Sequence, residues 1–441
     1  MTGMAGLARL RTDPELQRIA RGGLTALLIK GSAAGLSFLM FLVLARAMTV
    51  EEFGRLGFVF SAATLLAVLG SLGQRALAMR YVAIYRGIGA EAKARGVVEY
   101  GYRRVVAGCG GLVLILAGAA LVHGPSMSYL IAGAALVLAV GMEELQANHL
   151  RAEGGMKLAL MPRDVVWRVI VMLAAGVAAV GAWPEITASA AIWIMALTLL
   201  IIIAAQAVWS PLLRSIADRS DRDWSEIGQW QKAQWGLWGV SVIQPAVPNL
   251  ALVALGLLLS PAETAPVFAA LRTAMVLHLF LMAANMIAAP LISRHVHADD
   301  MQSLQRLCTV ISAAVTLPTF LVFVAFILAG DRVLGLFGSG FESGHVALVI
   351  FSAGYLVSAV AGSTAQIMEM AGFERRYFRV LLIATIAALA LLWPLIALLG
   401  SVGAALAVAG YTMSWNVVLY VFIARQLGIN AGLLRLAGHK P

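Results

Sequence analysis

Two cations stand inside apolar runs of this 441-residue chain: Lys30 within LTALLIKGSAAGLSFLMFLVL, and Arg272 within APVFAALRTAMVLHLFLM. Neither has a carboxylate three or four residues away, the spacing at which helical side chains meet. A charge held in such a run is costly, so it snorkels to an interface or faces water or an anion. The chemistry open to the pair is anion binding. Arg46, which closes the first run, joins them as a candidate ligand. A second polar constellation is Gln244-Pro245-Ala246-Val247-Pro248-Asn249, in the middle of another apolar run. Two prolines free backbone carbonyls and kink a helix. Gln244 and Asn249 then partner those carbonyls or a ligand hydroxyl. Carboxylates are scarce in the runs. Glu143 and Glu144 end one and Glu369 nearly ends another, which makes Glu369 the candidate for ion coupling. His278 and Asn285, seven apart, share a helix face and read as a hydrogen-bonded core pair.

The elements that carry these residues follow from composition. The chain is 61% hydrophobic and 12% charged, against about 25% charged for a soluble domain. Its solvent is therefore a membrane, where backbone groups are satisfied within helices or closed barrels. The runs are about 20 residues long, which selects helices. Twelve spans are expected, at 23–44, 54–73, 105–122, 128–145, 166–183, 189–209, 235–259, 265–291, 307–329, 344–370, 380–399 and 402–423. The fold class is an all-α polytopic membrane protein.

Charge fixes the orientation. With the N-terminus in the cytoplasm, the outer turns hold only Arg46, Arg55 and Arg332, and the spans hold Lys30 and Arg272. The rest of the 32 Lys and Arg residues fall on the inside, Arg163 and Arg168 among them. Both termini are then cytoplasmic. The net charge of +10 is read as topology rather than as a nucleic-acid surface, so no nucleic-acid partner is expected. The longest inner loops, 74–104 and 210–234, are too short to fold as domains. Trp230, Trp235 and Trp238 are expected at the inner interface.

The polar turns Thr49–Glu52 and Ser260–Glu263 stand about half a chain apart and read as equivalents. The expected organisation is 1–22 as an N-terminal segment, 23–209 as one six-helix lobe and 210–234 as the connecting loop. A second lobe, 235–423, and a tail, 424–441, complete it. A parallel repeat of this kind is common in transporters. Asp221-Arg222-Asp223 and His295-Val296-His297 with Asp299 and Asp300 sit in short loops and carry no metal site. Cys109 and Cys308 read as small buried hydrophobes. There is no P-loop, G-x-S-x-G or HExxH signature, so neither a cofactor nor an enzyme activity is expected.

Four segments carry a resemblance. They are Leu44-Ala45-Arg46-Ala47-Met48 followed by Glu52-Phe53-Gly54, then Phe337-Gly338-Ser339-Gly340-Phe341. Met370-Ala371-Gly372 with Arg375 is the third, and Gly400-Ser401-Val402-Gly403-Ala404-Ala405-Leu406-Ala407 the fourth. In order and spacing the chain resembles the Wzx-type O-antigen and oligosaccharide flippases of the multidrug/oligosaccharidyl-lipid/polysaccharide (MOP) exporter superfamily. The resemblance implies two six-helix lobes around a cationic cavity that opens alternately to each side. It implies an undecaprenyl-diphosphate-linked oligosaccharide as cargo, in a bacterial inner membrane, with polysaccharide polymerase or assembly proteins as partners. Related lipid II flippases keep cations in helices 1 and 8, where Lys30 and Arg272 stand. The chain departs from the pattern in having twelve expected spans rather than fourteen. Its lysine at position 30 is a point charge in place of a bidentate fork. The alternatives are a MATE-like multidrug exporter, which would want a deep carboxylate, and a membrane glycan polymerase or ligase, which would want a large outer loop.

Overall fold

A computed structural model describes residues 29, 31–33, 35–123, 128–180, 186–217 and 221–433. Among the described residues the secondary structure is entirely helical. Helix α1 is Gly31–Arg46. It is followed by α2 (Val50–Gly70), α3 (Gln74–Gly87), α4 (Glu91–His123), α5 (Ser128–Ala152) and α6 (Met156–Met161). A π-helical turn, Pro162–Val166, runs on into α7 (Trp167–Ala179). Then come α8 (Ala188–Trp209), α9 (Pro211–Ala217), α10 (Ile227–Leu258), α11 (Pro261–His297) and α12 (Met301–Gly335). A 3-10 turn, Phe341–Gly344, precedes α13 (His345–Ala361), α14 (Thr364–Met370), α15 (Glu374–Leu399) and α16 (Ser401–Leu427). Ten of these helices are long and apolar enough to cross a membrane. With α1 and the continuous run from α6 to α7, the described elements are compatible with twelve spans.

Several boundaries differ from the sequence reading. The fifth predicted span, 166–183, is preceded by ten further helical residues. As a result Arg163 and Asp164 lie within a helix rather than in a loop, and Arg168, counted with the inside charges, lies one turn further along the same run. The tenth, 344–370, is broken between α13 and α14, where Gly362 has φ +77°. The predicted loop 74–104 is helical for most of its length, as α3 and the first turns of α4.

In the first half of the chain α5 packs against α2, α3, α4 and α8. In the second, α13 packs against α11, α12 and α16. The seam between the halves is α2 against α10 and α11. Both polar turns cap a helix at that seam. Thr49 caps α2 by accepting the Glu52 N–H at 3.2 Å. Ser260 caps α11 in a full capping box with Glu263. The helices then cross where Gly54 meets the carbonyl of Pro261, an approach with no room for a Cβ.

The start of α10 is bound to the first half. Glu226 receives the Tyr85 hydroxyl at 2.5 Å and Lys93 at 2.6 Å. Those two donors hold its carboxyl below the usual carboxylate range, Lys93 having the larger effect. Trp230 donates to the Tyr85 oxygen at 2.8 Å and is fully buried, so it is a core residue and not part of an interfacial belt. Gln234 meets Gln74 and Tyr100, and Trp238 donates to the Leu69 carbonyl. Asp221-Arg222-Asp223 serves the same attachment: Arg222 pairs with Glu99 at 2.9 Å, and the Asp223 N–H donates to the Ala92 carbonyl.

Candidate functional site

Arg272 lies eleven residues into α11, about 16 Å from its capped start at 1.5 Å per residue. Its guanidinium stands over three phenylalanine rings, at 5.0 Å from Phe41 of α1, 5.1 Å from Phe60 of α2 and 4.8 Å from Phe268. Cation–π contacts are worth about 0.5–2 kcal/mol each, so the rings offset much of the cost of burying the charge. They do not satisfy its N–H groups. NH1 reaches only the Met275 sulfur at 3.7 Å, and Nε is buried without a hydrogen-bond partner. Among the described residues no carboxylate pairs with Arg272.

The side chain opens on a cavity of about 210 Å³ between α1, the α6–α7 run and α11. Ala33, Ser37 and Phe38 line it from α1, Asp164 and Arg168 from the second wall, and Met275, His278 and Met282 from α11. The expected His278–Asn285 pair does not form. His278 faces the cavity and lies against the Tyr355 ring at 5.5 Å, while the buried Asn285 Oδ1 has no partner among the described residues.

Arg168 and Asp164 line the cavity, and the sequence reading did not single them out. Asp164 is 2% exposed, on the π-helical turn. Arg168 is one turn on, its NH1 3.5 Å from the Asp164 carboxylate and donating at 2.6 Å to the Asp164 carbonyl. Behind them Arg163 pairs with Glu143 at 3.0 Å and with Glu144. Glu144 in turn meets Arg75 at 3.5 Å. The sequence does hold a signal: Asp164 and Arg168 have the i, i+4 spacing of a helical ion pair, and apolar Met156–Met161 precedes them. Starting the fifth span at 166 and counting Arg163 and Arg168 as inside charges concealed it.

The other candidates fall in different places. Lys30 lies outside the described residues. Gln244 donates to the Tyr377 hydroxyl at 3.3 Å, and Glu369, half-buried on α14, is within electrostatic reach of the same tyrosine. That grouping is separate from the residues lining the Arg272 cavity. Asn249 donates to the Pro245 carbonyl at 2.8 Å, so it is occupied by the kink itself. The Ser241 carbonyl, which loses its helical donor because Pro245 has no N–H, lies 3.5 Å from Arg75 NH2. Arg46 is engaged across the seam, donating to the carbonyls of Leu336 at 2.6 Å and Gly335 at 3.2 Å.

Phe38 of the cavity wall belongs to a set of phenylalanines that runs toward the short-turn end. Phe41, Phe60 and Phe268 meet edge to face, and the set continues through Phe53 to Phe337, Phe341 and Phe38. Phe53, Phe337 and Phe341 come from two of the segments that carry the family resemblance. The packed rings thus join α1 and α2 to the segment before α13.

Arrangement and element order define a multi-pass membrane protein with the fold of the MOP-superfamily transporters. The inward-facing structure of a multidrug resistance MATE family transporter of that superfamily matches with a TM-score of 0.73 at 13% identity, over 91% of this chain and 98% of that one. The outward-facing conformation of such a transporter matches at 0.62 and 14% identity, over 93% and 95%. A MOP-superfamily transporter from Pyrococcus furiosus, described as having a binding pocket of reverse polarity, matches at 0.61 and 14%, over 95% and 97%. The profile of the polysaccharide biosynthesis protein family matches residues 19–296, and the chain belongs to that family. No curated protein sequence matches it.

Proposed function

We propose that this protein moves an undecaprenyl-diphosphate-linked oligosaccharide across a bacterial inner membrane by alternating access, for O-antigen, capsule or exopolysaccharide synthesis. The observation that carries the reading is Arg272: a cation deep in the fold, desolvated by three rings, with an unsatisfied Nε on a cavity wall. Such a group lacks an acceptor with negative charge, and a diphosphate supplies several. Membership of the polysaccharide biosynthesis family supports the glycan class. Lys30 is proposed as a second cation for the same head group. The lipid tail stays in the bilayer while the two six-helix lobes rock about the kink of α10. The phenylalanine layer parts when the cavity opens outward, and both termini remain cytoplasmic.

A multidrug exporter would present a carboxylate to cationic drugs. Asp164 is buried here, but it stands 3.5 Å from Arg168 and 4.0 Å from Arg163, and the cavity keeps Arg272 in addition. That balance favours an anionic cargo. In a strain lacking the native gene, Arg272→Ala is expected to abolish glycan export at normal membrane abundance. Full export by that variant overturns the proposal. Restored drug resistance with no effect on glycan would replace it with the exporter reading.

A further inference from the structure

Arg168 and Arg272 reach one cavity from opposite halves of the chain. Each guanidinium has five N–H donors arranged as a rigid fork. In Arg168, NH1 is used locally, by the carbonyls of Asp164 at 2.6 Å and Arg163 at 3.1 Å. Its Nε is buried and has no hydrogen-bond partner among the described residues, as is true of that of Arg272. An arginine retained only as the ionic partner of Asp164 would be expected to turn its Nε edge to that carboxylate. Here the Asp164 oxygen lies instead near NH1, at 3.5 Å. The π-helical turn at 162–166 brings both residues into the span, and such turns recur at functional sites.

We propose that Arg168 is a second anion ligand, closing with Arg272 on the oxygens of one diphosphate group, with Asp164 as its positioning residue. The assignment rests on the flippase reading and adds to it a residue on the wall opposite Arg272. One ligand then touches both halves of the chain, so its arrival draws α7 and α11 together and its departure releases them. Diphosphate is the shared chemistry of a polyprenyl head group and of free pyrophosphate.

The test is binding to the purified full-length protein in nanodiscs, measured calorimetrically with farnesyl diphosphate, inorganic pyrophosphate and uncharged farnesol. Arg168→Gln and Arg272→Gln should each weaken farnesyl diphosphate binding at least ten-fold. The double variant should be little worse than the weaker single, because both forks serve one ligand. Farnesol binding should not change. Asp164→Asn combined with Arg168→Gln removes both members of the ion pair, so it leaves no lone buried charge. It should fold and still lose the diphosphate. If that combination binds like wild type while Arg272→Gln does not, Arg168 is only a structural partner of Asp164; the proposal falls and the flippase reading stands. If wild type binds no farnesyl diphosphate, both fall. Weaker binding of pyrophosphate than of farnesyl diphosphate assigns the clamp to a lipid head group, and equal binding assigns it to the anion alone.

Discussion

At the scale of single residues, the fold separates a cation bound to backbone carbonyls from one whose guanidinium opens on a cavity. Arg46 and Arg272 looked alike in sequence, each at or in an apolar run. Arg46 is held by the carbonyls of Leu336 and Gly335, at the end of α12, where a positive group also complements the helix dipole. Arg46→Ala should therefore loosen the short-turn end rather than weaken cargo binding. A cysteine placed at Phe341 reports this. Its labelling by a membrane-impermeant maleimide should rise several-fold when Arg46→Ala is added, and unchanged labelling would refute the latch. Cys109 and Cys308 are both buried, so the background is low. The sequence could not separate the two arginines, because the acceptors of Arg46 are backbone carbonyls some 290 positions away. It concealed Arg168 for a different reason. Hydropathy counts a charge near a span end as a loop charge, whether or not the helix continues.

Among the elements, the apolar helices were legible because lipid demands long, internally bonded segments, and no tertiary packing was needed to see them. Their extensions were not. Helix α4 begins at Glu91 and α10 at Ile227, well before their apolar stretches, because polar side chains there are bound to each other. The clamp on α10 gives a pH prediction. The folded carboxyl of Glu226 lies below its unfolded value, so its contribution is complete above about pH 4.3, the ordinary glutamate value. It is lost as pH falls through the lower, folded value. Protease cleavage within 221–226 should stay slow at pH 5 and accelerate below about 4. Glu226→Gln should show fast cleavage at every pH. Equal rates for the two proteins at pH 7 would remove Glu226 from the attachment. The prolines of α10 were visible in the sequence, but the group beside the carbonyl that Pro245 leaves without a helical donor was not: Arg75 arrives from α3.

For the whole molecule, the charge asymmetry along the sequence agrees with the geometry of its two ends. One end has short capped turns and packed phenylalanines. The other has α3, the segment 221–226 and most of the ion pairs among the described residues. If the basic end faces the cytoplasm, fluorescent protein fused after residue 441 should mature and fluoresce, and alkaline phosphatase fused there should be inactive. The reverse pattern would invert the whole topology and with it the direction of transport. The two-lobe division was suggested by the repeat of the Thr49 and Ser260 turns. Both turns cap helices of the seam, α2 through Thr49 and α11 through Ser260.

The π-helical turn at Pro162–Val166 has one more implication. Each residue advances a helix by about 100°, so deleting one residue there would restore regular winding. It would also swing Asp164 relative to Arg168 and the apolar stripe of α7, which lie beyond the turn. The hydrophobic profile of the segment would hardly register the loss, yet the ionic pair would be parted. A single-residue surplus in the winding thus holds two opposite charges together on one cavity wall.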